Sequence, residues 1–155
     1  MTLMQELMNQ AAAGSLLNAQ AITRFSPAEI RETIQQLVAN EQLDLANALG
    51  DAGLSLYPHS EDILAITGLL AMINQDWPLA VELIGELMEI QGDKTPAFTF
   101  VMMVRALRCN FDPHRALEVA KQGLALYPGQ VELLAEKLAL DDFSDALLPA
   151  SPQQH

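Results

Sequence analysis

Residues 46–58 read ANALGDAGLSLYP, and residues 116–128 read ALEVAKQGLALYP. Both stretches open on alanine, carry a small residue four positions later and close on Gly-Leu-x-Leu-Tyr-Pro. Between them, Ala80 follows Asp76-Trp77-Pro78-Leu79, so Ala46, Ala80 and Ala116 recur at spacings of 34 and 36 residues. A period of this length predicts helix-turn-helix units, each of which must stack on its neighbours to bury its apolar face.

The composition favours helices throughout the chain of 155 residues. Half of the residues are apolar, but only 5% are aromatic, so Leu, Ala, Ile, Val and seven Met must build the core. Straight-chain residues and alanine are good helix formers, whereas the β-branched and aromatic residues typical of strands are scarce. The sequence therefore predicts an all-α protein, and its length suits a single domain, 1–155.

Helix-start signals divide the chain at the same period. Ser26-Pro27-Ala28-Glu29 forms a capping box, Ser60 precedes two acidic residues, and Asp76 and Asp112 stand before the helices that hold Ala80 and Ala116. The predicted segments are an N-terminal helical segment 1–25, a first repeat 26–58, a second repeat 59–93, a third repeat 94–128, a capping helix 129–140 and a flexible tail 141–155.

This arrangement resembles the tetratricopeptide repeat (TPR) family. The matching positions are the helix-B alanines, the small helix-A residue of the middle repeat and the closing prolines: Ala46, Ala80, Ala116, Gly68, Pro58 and Pro128. The resemblance implies a right-handed superhelix of about three helix-turn-helix repeats with flanking N- and C-terminal helices. The sequence departs from the family by having two extra residues before Thr95-Pro96 and Gly92 where a proline is usual.

In that family, side chains of the first helix of each repeat line a concave groove that binds other proteins. The resemblance places the following residues there: Arg31, Gln35 and Val38 from the first repeat, Ala65, Leu69, Met72 and Ile73 from the second, and Phe98, Val101, Arg105 and Arg108 from the third. It therefore implies a groove that is apolar in its middle and basic near one end.

The apolar character of two helices also predicts this groove, independently of the resemblance to the TPR family. Segments 61–74 and 96–109 have almost no polar face, and a helix that is apolar all round must be covered all round. A partner segment could supply the cover, as could the N-terminal segment through Leu3, Leu7 and Leu16. Alternatively, these helices simply form the centre of a compact core.

Charge restricts the possible partners. The chain has 20 acidic and 8 basic residues, a formal net charge of −12, which disfavours nucleic acid and anionic membrane surfaces. A basic protein partner would be attracted to residues 1–100, which carry thirteen acidic and three basic side chains. No apolar run reaches membrane-spanning length, and no basic residue precedes Arg24, so we expect a cytoplasmic protein without a membrane partner.

The sequence predicts no catalytic residues, no metal site and no cofactor. His59, His114 and His155 share no helical face, no glycine-rich phosphate loop is present, and Cys109 is the single cysteine. Arg105 and Arg108 could hold a carboxylate of a partner, although Glu118 or a helix end could equally neutralise them. We therefore expect a binding protein rather than an enzyme.

Size, acidity, repeat number and an apolar groove resemble the TPR-type chaperones of bacterial type III secretion. This resemblance implies that the protein binds an apolar or amphipathic segment of another protein, such as a secreted subunit, and keeps it soluble. A general TPR scaffold subunit of a larger complex, without chaperone activity, is the alternative. Whether two copies pair as a homodimer stays open.

The repeat register makes a first prediction about stability. If Ala80 is the small residue that lets two helices approach, Ala80→Leu will overpack the contact and destabilise the protein by roughly 1–3 kcal/mol. Urea denaturation checks this value, and the same substitution at Ala46 and Ala116 should behave alike. Tolerance of leucine at all three positions would contradict the register.

Overall fold

The computed structural model describes residues 3–4 and 24–147, with side chains up to residue 142. Between residues 24 and 147 the chain forms seven α-helices and no strand, which confirms the predicted all-α class. The helices are α1 Pro27–Ala39, α2 Leu43–Leu56, α3 Glu61–Ile73, α4 Trp77–Gln91, α5 Ala97–Cys109, α6 Pro113–Leu126 and α7 Val131–Leu147. A short 3₁₀ turn, Gly92–Lys94, follows α4.

The helices form two compact units. The first unit is Met1–Gln91 and contains α1 to α4, and the second is Gly92–His155 and contains α5 to α7. The boundary between the units lies at the two extra residues of the sequence. At this point Gly92 adopts a positive φ of 54° and begins the 3₁₀ turn. Glycine adopts this conformation at little cost, which explains why it replaces the expected proline.

The first helix of every repeat ends in the same backbone motif. An asparagine caps α1, α3 and α5, and the next residue has a φ near 60°: the pairs are Asn40-Glu41, Asn74-Gln75 and Asn110-Phe111. After α1, the N–H of Glu41 donates to the carbonyl of Val38, and the N–H of Gln42 donates to the carbonyl of Leu37, at 3.0 and 2.8 Å. This is a Schellman motif, which satisfies the last carbonyls of a helix while reversing the chain.

The glycine shared by the two related stretches allows three helices to approach each other. A Cβ built on Gly53 would lie 3.2 Å from a methyl of Ile63 on α3 and 3.4 Å from one of Ile30 on α1. On Gly123, it would lie 2.8 Å from a methyl of Leu133 on α7 and 3.0 Å from Phe100 on α5. Helices α2 and α6 thus each pack against the helix before them and the helix after them.

The shared tyrosine fixes the ends of α2 and α6. The hydroxyl of Tyr57 donates to the backbone carbonyl of Phe25 at 2.9 Å, and that of Tyr127 donates to the carbonyl of Thr95 at 2.7 Å. Both carbonyls lie just before the first helix of the same repeat. The hydrogen bond therefore holds the exit of a repeat beside its entrance, and the proline that follows suits a segment that leaves the helix.

Near the start of the N-terminal segment, Leu3 and Met4 lie against α1. Leu3 is buried with Phe25 in the core of the first unit, and Met4 packs beside it. The α1 residues at this surface are Glu29, Glu32, Thr33 and Gln36. One repeat later, the α3 residues at the matching positions face α2: Ile63, Thr67 and Leu70. Leu3 and Met4 therefore take the place that a preceding second helix takes in the next repeat.

The sequence analysis left open whether the N-terminal segment covers the groove through Leu3, Leu7 and Leu16, and the position of Leu3 addresses this alternative. Helical spacing puts Thr33 and Gln36 on the side of α1 away from Arg31 and Gln35. Leu3 is accordingly not on the groove face, contrary to that alternative. Leu7 and Leu16 lie outside the described residues.

The last helix is longer than the sequence predicted. The expected capping helix ended at residue 140 and gave way to a flexible tail, but α7 continues to Leu147. Leu140 is buried, and Lys137 forms an ion pair with Asp141 one turn later at 2.8 Å. Both interactions stabilise the helix beyond residue 140. The next residue that disfavours a helix is Pro149, which lies beyond the described range.

The close approach at Gly123 makes a second prediction. Gly123→Ala should destabilise the protein by about 1–2 kcal/mol, because the new methyl group would meet the rigid base of Phe100 and this overpacking exceeds the gain of about 1 kcal/mol in helix propensity. Gly129→Ala is the matched control, since nothing lies within 4 Å of a Cβ at that position. Urea denaturation of both variants measures the difference. A Gly123→Ala protein as stable as the control would contradict the packing described.

Candidate protein-binding faces

The first-helix face of the first unit carries a row of aliphatic side chains. On α3, Ala65, Leu69 and Met72 are half-buried and Ile73 is exposed. Leu69 also packs on the core cluster of this unit, as does Val38 on α1. Leu69 and Val38 are therefore held in place by the core while part of each side chain remains open to solvent, which suits the binding of another apolar surface.

Polar residues flank this row. Arg31 on α1 donates from Nη1 to Oδ1 of Asp62 on α3 at 3.0 Å, and both side chains are about 40% exposed. Gln35 is exposed one turn further along α1. The ion pair joins the first helices of two consecutive repeats. Exposed pairs of this kind contribute little stability, roughly 0–1 kcal/mol, so a partner could compete for Arg31 at low cost.

The corresponding face of the second unit is different. Phe98 is exposed near the start of α5, but Val101 is 0% exposed and presents no surface for a partner in this arrangement. Helix α5 is buried along most of its length, and its last two turns present Arg105 and Arg108. The apolar row of the first unit therefore has no equivalent on α5.

The two arginines are held by the chain itself. Arg105 Nε and Arg108 Nε donate to the two carboxylate oxygens of Glu136 at 3.0 Å each, and Arg105 Nη2 donates to Glu132 at 3.1 Å. The Glu136 side chain is only 11% exposed, whereas both arginines remain almost half exposed. Glu118, one of the partners considered from the sequence, pairs with His114 instead.

The role of Glu136 was not anticipated from the sequence. Glu136 lies 70 residues after Ile66, which is buried in the core of the first unit. A carboxylate at the position where the preceding copy has isoleucine is a signal that could have revealed the network. Burial of a charged group requires a partner, and the two arginines supply it.

Several exposed apolar side chains in the second unit were also not predicted. Phe111 is 93% exposed and has the positive φ that Glu41 and Gln75 adopt in the other repeats. A bulky residue is unusual in this conformation. The α7 helix adds Val131, Leu134 and Leu138, which follow each other at helical spacing and are all exposed.

The described residues contain no group of three or more His, Cys, Asp or Glu side chains that could hold a metal ion. Cys109 is a free, half-buried thiol. Within the same residues, no helix combines the length and the apolar character needed to cross a membrane.

Comparisons with known proteins identify the architecture. No protein-family model matches the sequence, and no curated protein matches it significantly. Among solved structures, a MamA mutant is similar with a TM-score of 0.69 and 16% identity, over 91% of this chain and 85% of that one. The structure described as MamA MSR-1 C2 is similar with a TM-score of 0.70 and 16% identity, over 91% and 84%. MamA is a TPR-type protein.

The fold is therefore TPR-like. This result confirms the resemblance inferred from Ala46, Ala80 and Ala116 at the level of fold. The resemblance to secretion chaperones remains a prediction.

The arginine network makes a third prediction. Glu136→Gln should destabilise the protein by about 1–2 kcal/mol, because it removes charge-assisted hydrogen bonds and leaves two arginines facing each other. Glu118→Gln removes the same charge from an exposed pair and should leave stability within about 0.5 kcal/mol of the original. Chemical denaturation of the two variants tests the difference. Equal stabilities would show that Glu136 contributes nothing to anchoring α7.

Proposed function

We propose that this protein is a binding module that holds an apolar or amphipathic segment of another protein against the first-helix faces of its repeats. Binding, rather than catalysis, is its function, and it acts in the cytoplasm. The observation that carries the proposal is the aliphatic row on α3, formed by Ala65, Leu69, Met72 and Ile73, which is partly open to solvent and is anchored on the core through Leu69.

The chemistry of this row favours a helical or extended apolar segment as the ligand. Aliphatic side chains and methionine adapt to different apolar partners, and they lack the fixed polar groups that would select one sequence. The flanking Arg31 and Gln35 can orient a polar edge of the bound segment. The TPR-like fold of MamA is consistent with a protein-binding role.

We favour a chaperone of the secretion type over a general scaffold. A chaperone covers apolar surface that would otherwise aggregate, and an apolar binding row with few specific polar contacts suits that task. A scaffold would bind a partner that is already folded and soluble. In both cases, a basic partner would be attracted by the net charge of −12, and salt would slow its association.

A fourth prediction tests the binding face. The double variant Leu69→Ser and Met72→Ser should bind the partner about thirtyfold more weakly, because burial of the remaining exposed part of both side chains is worth about 2 kcal/mol in total. The partner is obtained by co-purification of the untagged protein from its source, followed by mass spectrometry. Binding of the purified pair is then measured by calorimetry.

The matched control is the double variant Leu43→Ser and Ile90→Ser, which also removes two exposed aliphatic side chains of the first unit but not from this face. It should bind normally, and thermal melts should show that both double variants are folded. Equal binding by the two variants would contradict the proposed face. A partner that stays soluble when produced without this protein would favour the scaffold over the chaperone.

A further inference from the structure

A narrow cleft lies in the first unit between α2 and α4, above the C-terminal half of α3. Its volume is about 90 Å³. Sites for cofactors and drug-sized ligands usually exceed about 300 Å³, so this cleft has room for a single slender side chain. None of the residues that line it belongs to the first-helix face described above.

Helical spacing explains how the cleft is built. The second helices α2 and α4 each turn one face toward it, and α3 provides the floor. The lining residues are Asn47, Gly50, Asp51 and Leu54 from α2, Thr67, Leu70, Ala71 and Asn74 from α3 and its cap, and Asp76, Leu79 and Leu83 from α4 and its cap.

The walls of the cleft are aliphatic. Leu83 is buried, Leu54 is half-buried and Leu79 is 38% exposed at the rim. Gly50 brings no side chain into the cleft, and a Cβ there would lie 2.9 Å from a methyl of Leu70. Because Gly50 has no side chain, α2 and α3 can approach closely there without filling the cleft.

The rim is polar and carries two carboxylates. The amides of Asn47 and Asn74 bond to each other at 2.8 and 3.5 Å and join α2 to the end of α3. Asp76 accepts the backbone N–H of Leu79 through one oxygen at 3.3 Å. Asp51 is exposed. No ion pair within the described part of the chain involves either aspartate.

The surrounding sequence cannot easily neutralise these carboxylates. Residues 24–91 contain eleven acidic side chains and two arginines, a formal net charge of −9, and no lysine. Arg31 is bound to Asp62, and neither it nor Arg24 lines the cleft. Among the described residues, no basic side chain lines the cleft, so its carboxylates are open to a cation from another molecule.

We propose that this cleft is a second recognition site, which accepts one lysine side chain of a partner protein. The aliphatic stem of the lysine lies against Leu54, Leu79 and Leu83, and its ammonium group lies between Asp51 and Asp76. A compact ammonium ion suits carboxylates that come from two different helices, whereas a guanidinium group prefers both oxygens of one carboxylate. Long cationic side chains commonly bury the stem and keep the charged end at a polar rim.

The test uses the full chain and a small probe, N-acetyl-lysine methylamide, at millimolar concentration. NMR spectra of the isotope-labelled protein should show saturable shifts of the Asn47 and Asn74 side-chain amides, because both line the cleft. N-acetyl-norleucine methylamide has a similar stem without the charge and should not bind measurably. The analogue with a one-carbon amine side chain and the arginine analogue should both bind more weakly than the lysine probe.

The matched variants separate the cleft from general attraction to an acidic protein. The double variant Asp51→Asn and Asp76→Asn should weaken lysine binding by about fivefold, since two partly exposed ion pairs are lost. Asparagine still caps α4, so the fold is maintained. The control variant Glu86→Gln and Glu89→Gln makes the same change in charge on α4 outside the cleft and should bind as the original protein does.

Four results would overturn the proposal: no saturable shift, equal binding of the norleucine probe, equal binding by the Asp51/Asp76 variant, or equal loss in the Glu86/Glu89 control. Tighter binding of the arginine analogue would overturn the assignment to lysine. The proposal does not depend on the aliphatic row of α3, because the two sites share no residue. Failure of one test therefore leaves the other proposal intact.

Discussion

The close approach of α2 and α6 to the helices on either side of them is the contact on which the rest of the fold depends. Ala46, Ala80 and Ala116 are all completely buried, and glycine follows at residues 53 and 123, where a methyl group would already be too close to its neighbours. Small side chains lower the distance between helix axes, and this distance decides which larger side chains can interlock around them. The tyrosine hydrogen bonds and the buried leucines follow from that spacing.

Much of this architecture could be predicted from local sequence. The helix bounds agree closely with the capping signals at Ser26, Ser60 and Asp112, because caps act within a few residues of the chain. The Asn-x turn that ends α1, α3 and α5 repeats at the same spacings as the alanines and could also have been read from the sequence. Its backbone hydrogen bonds identify it as a recurring motif.

Features that depend on distant residues were harder to anticipate. Glu136 lies 28 and 31 residues from the two arginines that hold it, and no local rule connects them. Val101 was assigned to the groove by its position in the repeat, but the packing of the second unit buries it. The length of α7 was underestimated, because burial of Leu140 in the folded protein supports the helix beyond residue 140. Tertiary packing thus determines the environment of Glu136, the burial of Val101 and the length of α7.

The Schellman turns restrict where the chain can change its length. Every turn between the two helices of a repeat uses its backbone N–H groups in specific hydrogen bonds, so an inserted residue would leave a helix end unsatisfied. The connection after α4 differs, because its short 3₁₀ turn, Gly92–Lys94, already accommodates two additional residues. Insertions during evolution, or a loop grafted by protein engineering, should therefore be tolerated at this connection and rejected at the asparagine turns.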